Sequence, residues 1–237
     1  MGNSRVLIAR YFGLLLALGY VTTSHCHQYL FDTLNRLTSV TYDSGQKITY
    51  AYDAAGNRLS MNTTAPTAQL ALVGVQSRKV HGSAGTFDLA IDTMQLINGS
   101  VTVEPRTIGG GHTIVFQFDG AVSTPGSVSI TPVGTATVSN LGNEVLVTLT
   151  GVSDNQRVTV TLTNVNGSAN PGPVSMGFLV GDVNNTRSVN SSDISGVKAR
   201  SGQPTTTLNF KFDINASGAV NSSDISAVKA RSGSVLP

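Results

Sequence analysis

The chain has 237 residues, a formal net charge of +2 and only 12% charged residues. Its basic residues are scattered and not interleaved with aromatics, which excludes an extended nucleic-acid surface. Val, Thr, Ser and Gly dominate, tryptophan is absent and there is one cysteine, so the composition predicts a β-rich, extracellular-style protein without a disulfide framework.

The first 24 residues read as a secretory leader. Arg5 and Arg10 supply the positive segment, Tyr11–Val21 an apolar run of 11 residues, and Val21-Thr-Thr-Ser24 small residues for cleavage. The run falls short of the roughly 20 apolar residues that span a bilayer. The expectation is a cleaved signal and a secreted or cell-surface bacterial protein with no remaining span; an uncleaved anchor and a buried segment are the other readings. His25-Cys26-His27 places three soft ligands side by side. Neighbouring residues do not converge on one zinc ion, and the sequence offers no second cluster, so the triplet is read as a leader-proximal segment.

Two related units follow: Tyr29-Leu-Phe-Asp32-Thr-Leu-Asn35-Arg36-Leu37 and Tyr50-Ala-Tyr52-Asp53-Ala-Ala-Gly56-Asn57-Arg58-Leu59. Each is an aromatic extended stretch that runs into an Asx/Gly turn and out through Arg-Leu, a strand–turn–strand pattern. Residues 29–60 resemble the YD repeat of Rhs-type secreted proteins, in which many such repeats wind into a large β shell. Arrays of this kind need about three units to bury a continuous core. Two units are therefore expected to be a remnant or a short β appendage.

Residues 66–178 are strand and turn throughout. Phe87, Leu89 and Ile91 alternate with Asp88, Ala90 and Asp92; Ile114, Phe116 and Phe118 with Val115 and Gln117; Val145, Val147 and Leu149 with Leu146, Thr148 and Thr150; Val158, Val160 and Leu162 with threonines. A period of two with one apolar face predicts half-buried antiparallel strands. Turn signals such as Asn98-Gly99, Asp119-Gly120 and Asn166-Gly167 separate them, and the spacing predicts an immunoglobulin-like β-sandwich. Ser77-Arg-Lys-Val-His-Gly-Ser-Ala-Gly-Thr-Phe87 is similar in phrasing to a β domain of some large bacterial surface proteins. His81 and His112, each beside glycine, read as loop surface residues, with Asp88, Asp92 and Glu104 the nearby acids. No nucleophile-elbow signature accompanies them. A glycosidase needs two carboxylates across a cleft, and the 13 acidic residues are few and partly committed elsewhere. The chain is read as non-catalytic.

The C-terminal 58 residues repeat one unit. Asp182-Val-Asn184-Asn-Thr186-Arg-Ser188-Val-Asn190-Ser-Ser-Asp193 returns 31 positions later (213 minus 182) as Asp213-Ile-Asn215-Ala-Ser217-Gly218-Ala219-Val220-Asn221-Ser-Ser-Asp224. Oxygen-bearing side chains stand at loop positions 1, 3, 5, 9 and 12, the spacing with which an EF-hand-type loop wraps calcium. Ser191–Gly202 and Ser222–Gly233 predict one short helix after each loop, with Asn190 and Asn221 as N-caps, Asp193 and Asp224 in the first turn, basic residues in the last turn and Gly202 and Gly233 as stops. Ile194 and Val197, and Ile225 and Val228, give each helix a narrow apolar stripe. No helix is predicted before either loop.

A duplicated loop–helix unit without entering helices resembles the type I dockerin. That resemblance implies two half EF-hands related by approximate two-fold symmetry, calcium as the ligand and a cohesin domain as the partner. By position it implies calcium ligands at Asp182, Asn184, Thr186, Ser188 (backbone carbonyl), Asn190 and Asp193, and at Asp213, Asn215, Ser217, Ala219 (backbone carbonyl), Asn221 and Asp224. The partner-recognition positions it implies are Ser191, Ser192 and Lys198, and Ser222, Ser223 and Lys229. Two departures stand out. Position 5 is a neutral oxygen, Thr186 or Ser217, where the family has aspartate. Position 6 wants the left-handed backbone that glycine adopts, which Gly218 meets and Arg187 does not. Two calcium sites are expected, the first weaker. Metal-free Asx-rich turns are the alternative.

Three functions remain open at this level: a secreted dockerin-type attachment protein, a surface or adhesion protein rigidified by calcium without a cohesin partner, and an accessory part of a carbohydrate-active enzyme. The helix stripes with Phe210 and Phe212 make a small core, so the C-terminal module is expected to depend on its metal for folding. Nothing in the sequence specifies the oligomeric state.

Overall fold

The computed structural model describes the backbone of residues 5–10 and 26–27, and residues 28–42, 45–65, 70–107, 109 and 111–237 in full. The chain divides into two compact units, Met1–Ala68 and Gln69–Pro237. The apolar run and cleavage segment expected of a leader lie outside the described residues. Among the described residues, no helix is long and apolar enough to cross a membrane.

The first unit is an antiparallel meander of five strands in sequence order: β1 (Arg5–Arg10), β2 (Cys26–Phe31), β3 (Leu37–Thr41), β4 (Lys47–Tyr52) and β5 (Arg58–Thr64). The two YD units are the β2–β3 and β4–β5 hairpins. In the first turn the Asp32 carboxylate accepts the backbone N–H groups of Leu34 and Arg36 and the Arg36 guanidinium (2.7 Å), while Asn35 takes a left-handed φ of 60°. Asp53 repeats the arrangement with Asn57, and Gly56 takes the left-handed position at φ 92°. An Asx turn of this kind is the reason Asp recurs at the corner. The repeats also bond to each other. Arg36 lies over the Tyr52 ring at 4.9 Å and donates to the Asp53 carbonyl, and the Tyr52 hydroxyl donates to the Leu37 carbonyl. Among the described residues of this unit only Ser39 and Val40 are buried. Two hairpins thus tie one repeat to the next but enclose little core, as expected for so short an array.

The second unit opens with a sandwich of nine strands: β6 (Leu72–His81), β7 (Gly85–Ala90), β8 (Thr102–Glu104), β9 (His112–Phe118), β10 (Ser127–Thr131), β11 (Thr135–Leu141), β12 (Glu144–Thr150), β13 (Gln156–Thr163) and β14 (Gly172–Phe178). One sheet has the order β11-β12-β9-β6-β7 and the other β10-β13-β14-β8. The alternation read from sequence places the inward residues. Ile114 and Phe116 stand opposite Val147 and Val145 in one sheet, Val158 and Val160 opposite Met176 and Val174 in the other. These side chains, with Phe118, Leu149, Leu162 and Phe178, are buried in a single cluster between the sheets. Two antiparallel sheets face to face is the predicted architecture; among the described residues the one parallel pairing is β8 against β14. Phe87 and Leu89 depart from the expectation, since both are only half-buried and Ile91 alone of that run enters the core.

The rest of the unit is the duplicated module: α1 (Ser191–Lys198), β15 (Gln203–Pro204), β16 (Ala219–Val220) and α2 (Ser222–Arg231). β14 precedes the first loop and a single 3-10 turn, Phe210–Phe212, precedes the second, so neither loop has an entering α-helix. The module does not have a private core. Val101, just before β8, and Val103, within it, pack in one cluster with Leu179, Val180, Val183, Val189, Val197, Phe212, Ile214, Val220, Val228 and Leu236. Ile194 and Ile225 contribute from partly buried positions, and Phe210 stacks on Phe87 of the sandwich at 5.7 Å. The core is therefore larger than the helix stripes predicted, because the sandwich supplies part of it.

Candidate metal centre

Each loop leads into a helix start that the sequence specifies. The Asn190 side chain accepts the Ser192 backbone N–H, and Asp193 accepts the Asn190 N–H at 2.9 Å; Asn221, Ser223 and Asp224 repeat this at 2.8 Å. This is a reciprocal cap that satisfies N–H groups otherwise left open at a helix start. Asp193 and Asp224 also accept from Val183 and Asn215, at positions 2 and 3 of their own loops. The twelfth residue thus draws the end of each loop back to its beginning. Gly233 follows α2 at φ 93°, whereas α1 ends earlier than expected, at Lys198, and Gly202 at φ 87° closes the turn beyond it. The Gly202 N–H donates to Val220 of the second loop, and the Gly233 N–H to Val189 of the first, both at 2.8 Å. Each unit therefore closes the other unit's loop at position 8, which is a two-fold relation written in hydrogen bonds.

Positions 1, 3, 5 and 7 are brought together in both loops. Asp182 accepts the Thr186 and Arg187 N–H groups, Asn184 Oδ1 accepts the Thr186 N–H, and the Thr186 hydroxyl donates to the Ser188 carbonyl (3.2 Å). Asp213 accepts the Ser217 and Gly218 N–H groups, Asn215 Oδ1 accepts the Ser217 N–H, and the Ser217 hydroxyl lies 3.5 Å from Asp213 and 3.2 Å from the Ala219 carbonyl. Position 9 joins through its amide: Asn190 Nδ2 donates to the Ser188 hydroxyl and Asn221 Nδ2 to the Ala219 carbonyl. The donor set is all oxygen, the chemistry of a hard cation such as calcium and unsuited to a soft one.

The electrostatics agree. Asp182, Asp193, Asp213 and Asp224 are all buried, and among the described residues Asp182, Asp193 and Asp224 have no ion-pair partner. Burial pushes the Asp182 carboxyl above the ordinary range, against its backbone N–H donors, and the Asp193 charge adds to the rise. Burial raises Asp224 likewise, with the Asp213 charge contributing. Two buried carboxylates that repel one another are costly without a cation to neutralise them. Asp213 moves the other way: burial raises it, but hydrogen bonds from His81 and Thr205, then from Gly218 and Ser217, bring it below the usual range.

Arg187 does not block the first loop. It takes a left-handed φ of 65°, as Gly218 does at 102°, and position 4 is left-handed in both loops (Asn185 at 60°, Ala216 at 55°). The turn expected to need glycine forms with arginine, at a cost. Replacing Arg187 by glycine should stabilise the module by about 0.5–1 kcal/mol, since the strain of a left-handed side-chain residue exceeds glycine's extra chain entropy. Chemical denaturation of the full chain in chelator would measure it.

The expected partner-recognition residues lie at the surface: Ser191, Ser192 and Lys198 on α1, and Ser222, Ser223 and Lys229 on α2, are all exposed. The Ser192 and Ser223 hydroxyls are engaged within their loops, each donating to the cap asparagine and accepting from the asparagine at position 3. His81 and His112 correct the sequence reading, because neither is a surface residue; both are fully buried, at the end of β6 and the start of β9. His81 bonds to Asp213, a contact across 132 positions that no local pattern signals.

Comparison with known families agrees with this geometry. Residues 31–68 match the RHS Repeat family and residues 180–231 the Dockerin type I domain. No curated protein and no solved structure matches the chain. Both matched families are non-catalytic modules. With an RHS repeat in its first compact unit, the chain closes its second with a type I dockerin domain, a calcium-binding module for attachment to other proteins.

Proposed function

We propose that the two loops each hold one calcium ion, and that the loaded module attaches the protein to a cohesin-type partner outside the cytoplasm once the leader, residues 1–24, is removed and takes β1 with it. Asp182, Asn184, Thr186, the Ser188 carbonyl, Asn190 and Asp193 would hold the first ion. Asp213, Asn215, Ser217, the Ala219 carbonyl, Asn221 and Asp224 would hold the second. The observation that carries the reading is the pairing of two buried aspartates in each of two loops lined otherwise by neutral oxygens. Calcium supplies the charge that satisfies both carboxylates and fixes each loop against its helix. Ser191, Ser192, Lys198, Ser222, Ser223 and Lys229 would form the recognition surface, in keeping with their exposure.

A second reading is favoured by the core that the module shares with the sandwich through Val101 and Val103. Calcium would then rigidify a surface protein with no cohesin partner. Calorimetric titration of the full chain with calcium, then capture on a panel of cohesin domains with and without chelator, separates the two. The expected result is uptake of two ions, the first loop the weaker, and chelator-sensitive capture. Uptake without capture favours the structural reading, and no uptake ends both.

A further inference from the structure

The two calcium loops are near copies, but their first carboxylates have different surroundings. Among the described residues Asp182 accepts hydrogen bonds only from the backbone of its own loop. Asp213 accepts the equivalent pair and, on Oδ2, two side-chain partners besides: Thr205 Oγ1 at 2.6 Å and His81 Nδ1 at 2.8 Å. His81 belongs to the sandwich, at the end of β6. Its other nitrogen, Nε2, lies 3.1 Å from an Arg106 guanidinium nitrogen. Arginine has no lone pair to offer, so Nε2 accepts and the ring proton sits on Nδ1, directed at Asp213. Arg106 is fixed in turn by a two-point pair with Glu104 (both contacts 2.7 Å) and by donation to the carbonyls of Ser77 (2.9 Å) and Phe87 (3.1 Å). Edge contacts with Phe87 and Phe210 hold the imidazole plane.

The backbone is fitted around this contact. A Cβ on Gly82 would come within 2.4 Å of the Ser217 carbonyl oxygen, and one on Gly218 within 3.0 Å of the His81 carbonyl oxygen. The Thr107 N–H donates to the Ile214 carbonyl at 2.8 Å. The β6–β7 turn and the segment after β8 thus grip positions 1, 2, 5 and 6 of the second loop.

We propose that His81 is a positioning residue for the second cation site, so that this site is built jointly by the module and the sandwich. The inference rests on the reading of both loops as calcium sites. A carboxylate that enters a metal's coordination shell is oriented by the groups that hydrogen-bond to it, and loss of such a partner lowers metal affinity by roughly 10- to 100-fold. His81 and Thr205 hold one Asp213 oxygen in place, whereas the first loop relies on its own backbone. Coupling of this sort is reciprocal: if the sandwich tightens calcium in loop 2, calcium in loop 2 tightens the module on the sandwich.

The test is calorimetric titration of the full chain with calcium chloride, comparing the natural protein with His81→Leu, His81→Asn and Asp213→Asn. Leucine removes the donor, whereas asparagine keeps an N–H where Nδ1 stood. The expected result is two sites in the natural protein, one of them weakened at least 10-fold by H81L and largely restored by H81N, the other unchanged. In the D213N background the leucine substitution should cause no further weakening, because the carboxylate it acts through is gone. A cooperative denaturation transition followed by far-ultraviolet circular dichroism without calcium checks that each variant is folded, since the second unit holds neither tyrosine nor tryptophan. Should H81L not fold, His81→Gln, which favours the Arg106 side of the ring over the Asp213 side, takes its place with the same expectation. Equal weakening of both sites, or none with H81L or its substitute, would overturn the proposal. Absence of calcium uptake by the natural protein would instead overturn the reading beneath it.

Discussion

Replacing Arg106 by leucine should destabilise the second unit by about 3–5 kcal/mol, the usual cost of removing one partner of a buried ion pair. Glu104 and Arg106 are both 0% exposed. Burial alone would push the Glu104 carboxyl up, but hydrogen bonds from Arg106, the Arg106 charge and the Ser77 hydroxyl hold it below the ordinary range. Without the guanidinium, the carboxylate keeps only two neutral donors, the Ser77 hydroxyl and the backbone N–H of residue 106, the carbonyls of Ser77 and Phe87 lose that donor, and His81 Nε2 loses its neighbour. A buried charge left in this state is far more costly than a buried pair. Equilibrium denaturation in guanidinium should therefore show a lowered midpoint with an unchanged slope. The double variant Arg106→Leu, Glu104→Leu should recover part of the loss, since it removes the stranded charge but not the two orphaned carbonyls. A single variant as stable as the natural chain would mean that the pair contributes nothing net.

The same network bears on how the C-terminal module depends on calcium. From its helix stripes alone it is a small unit that needs a metal to fold. In the structure, Val101 and Val103 of the sandwich lie in its core, Asn185 of the first loop accepts the Val103 N–H at 2.6 Å, and Arg231 of α2 pairs with Asp154 at 3.2 Å. Chelation thus acts on a module that is already seated, and the buried aspartates rather than the helices are the part it leaves unsatisfied.

Much of this was legible in the sequence where the determining contacts are short-range. The caps at Asn190 and Asn221 and the Asx turns at Asp32 and Asp53 each depend on residues within a few positions. Strand alternation fixed the inward face of β9, β12 and β13 for the same reason. What escaped is long-range. Asn-capped helices and a loop spacing carry no sign that His81 reaches Asp213, or that Phe87 will stack on Phe210 and not enter the sandwich core. A signal for the histidines did exist. His81 shares its inward parity with Val75 and Ser77 on β6, and His112 stands two residues before Ile114 on β9. Extending the period-two pattern to the strand ends would have buried both, where the adjacent glycines suggested a loop. Arg187 failed differently: its φ is set by the loop's closure, which overrides residue preference at a modest cost.

His112 supplies the strongest expected dependence on pH. The ring is 1% exposed, stands opposite Leu149 in the sheet, and lies 4.1 Å from the Phe178 ring. Among the described residues, neither of its nitrogens has a hydrogen-bond partner. Burial is the main reason its pKa falls from the usual 6.5 to about 4; Glu104 pulls it up, and the Lys79 and Arg106 charges push it further down. Between these two values the unfolded chain binds a proton that the folded chain refuses, so stability rises with pH across that window. The full contribution is present above pH 6.5 and is lost as the pH falls toward 4, a change of about 3 kcal/mol from this group. His112→Phe fills similar space, offers no buried polar atom and should remove that part of the slope while leaving stability at pH 7.5 equal or higher. Denaturation midpoints for both proteins at several pH values from 4 to 7.5, all in chelator, would show it as a gap that opens in favour of the phenylalanine variant as acid is added. Parallel pH profiles would mean that His112 takes up its proton in the folded state as readily as in the unfolded one.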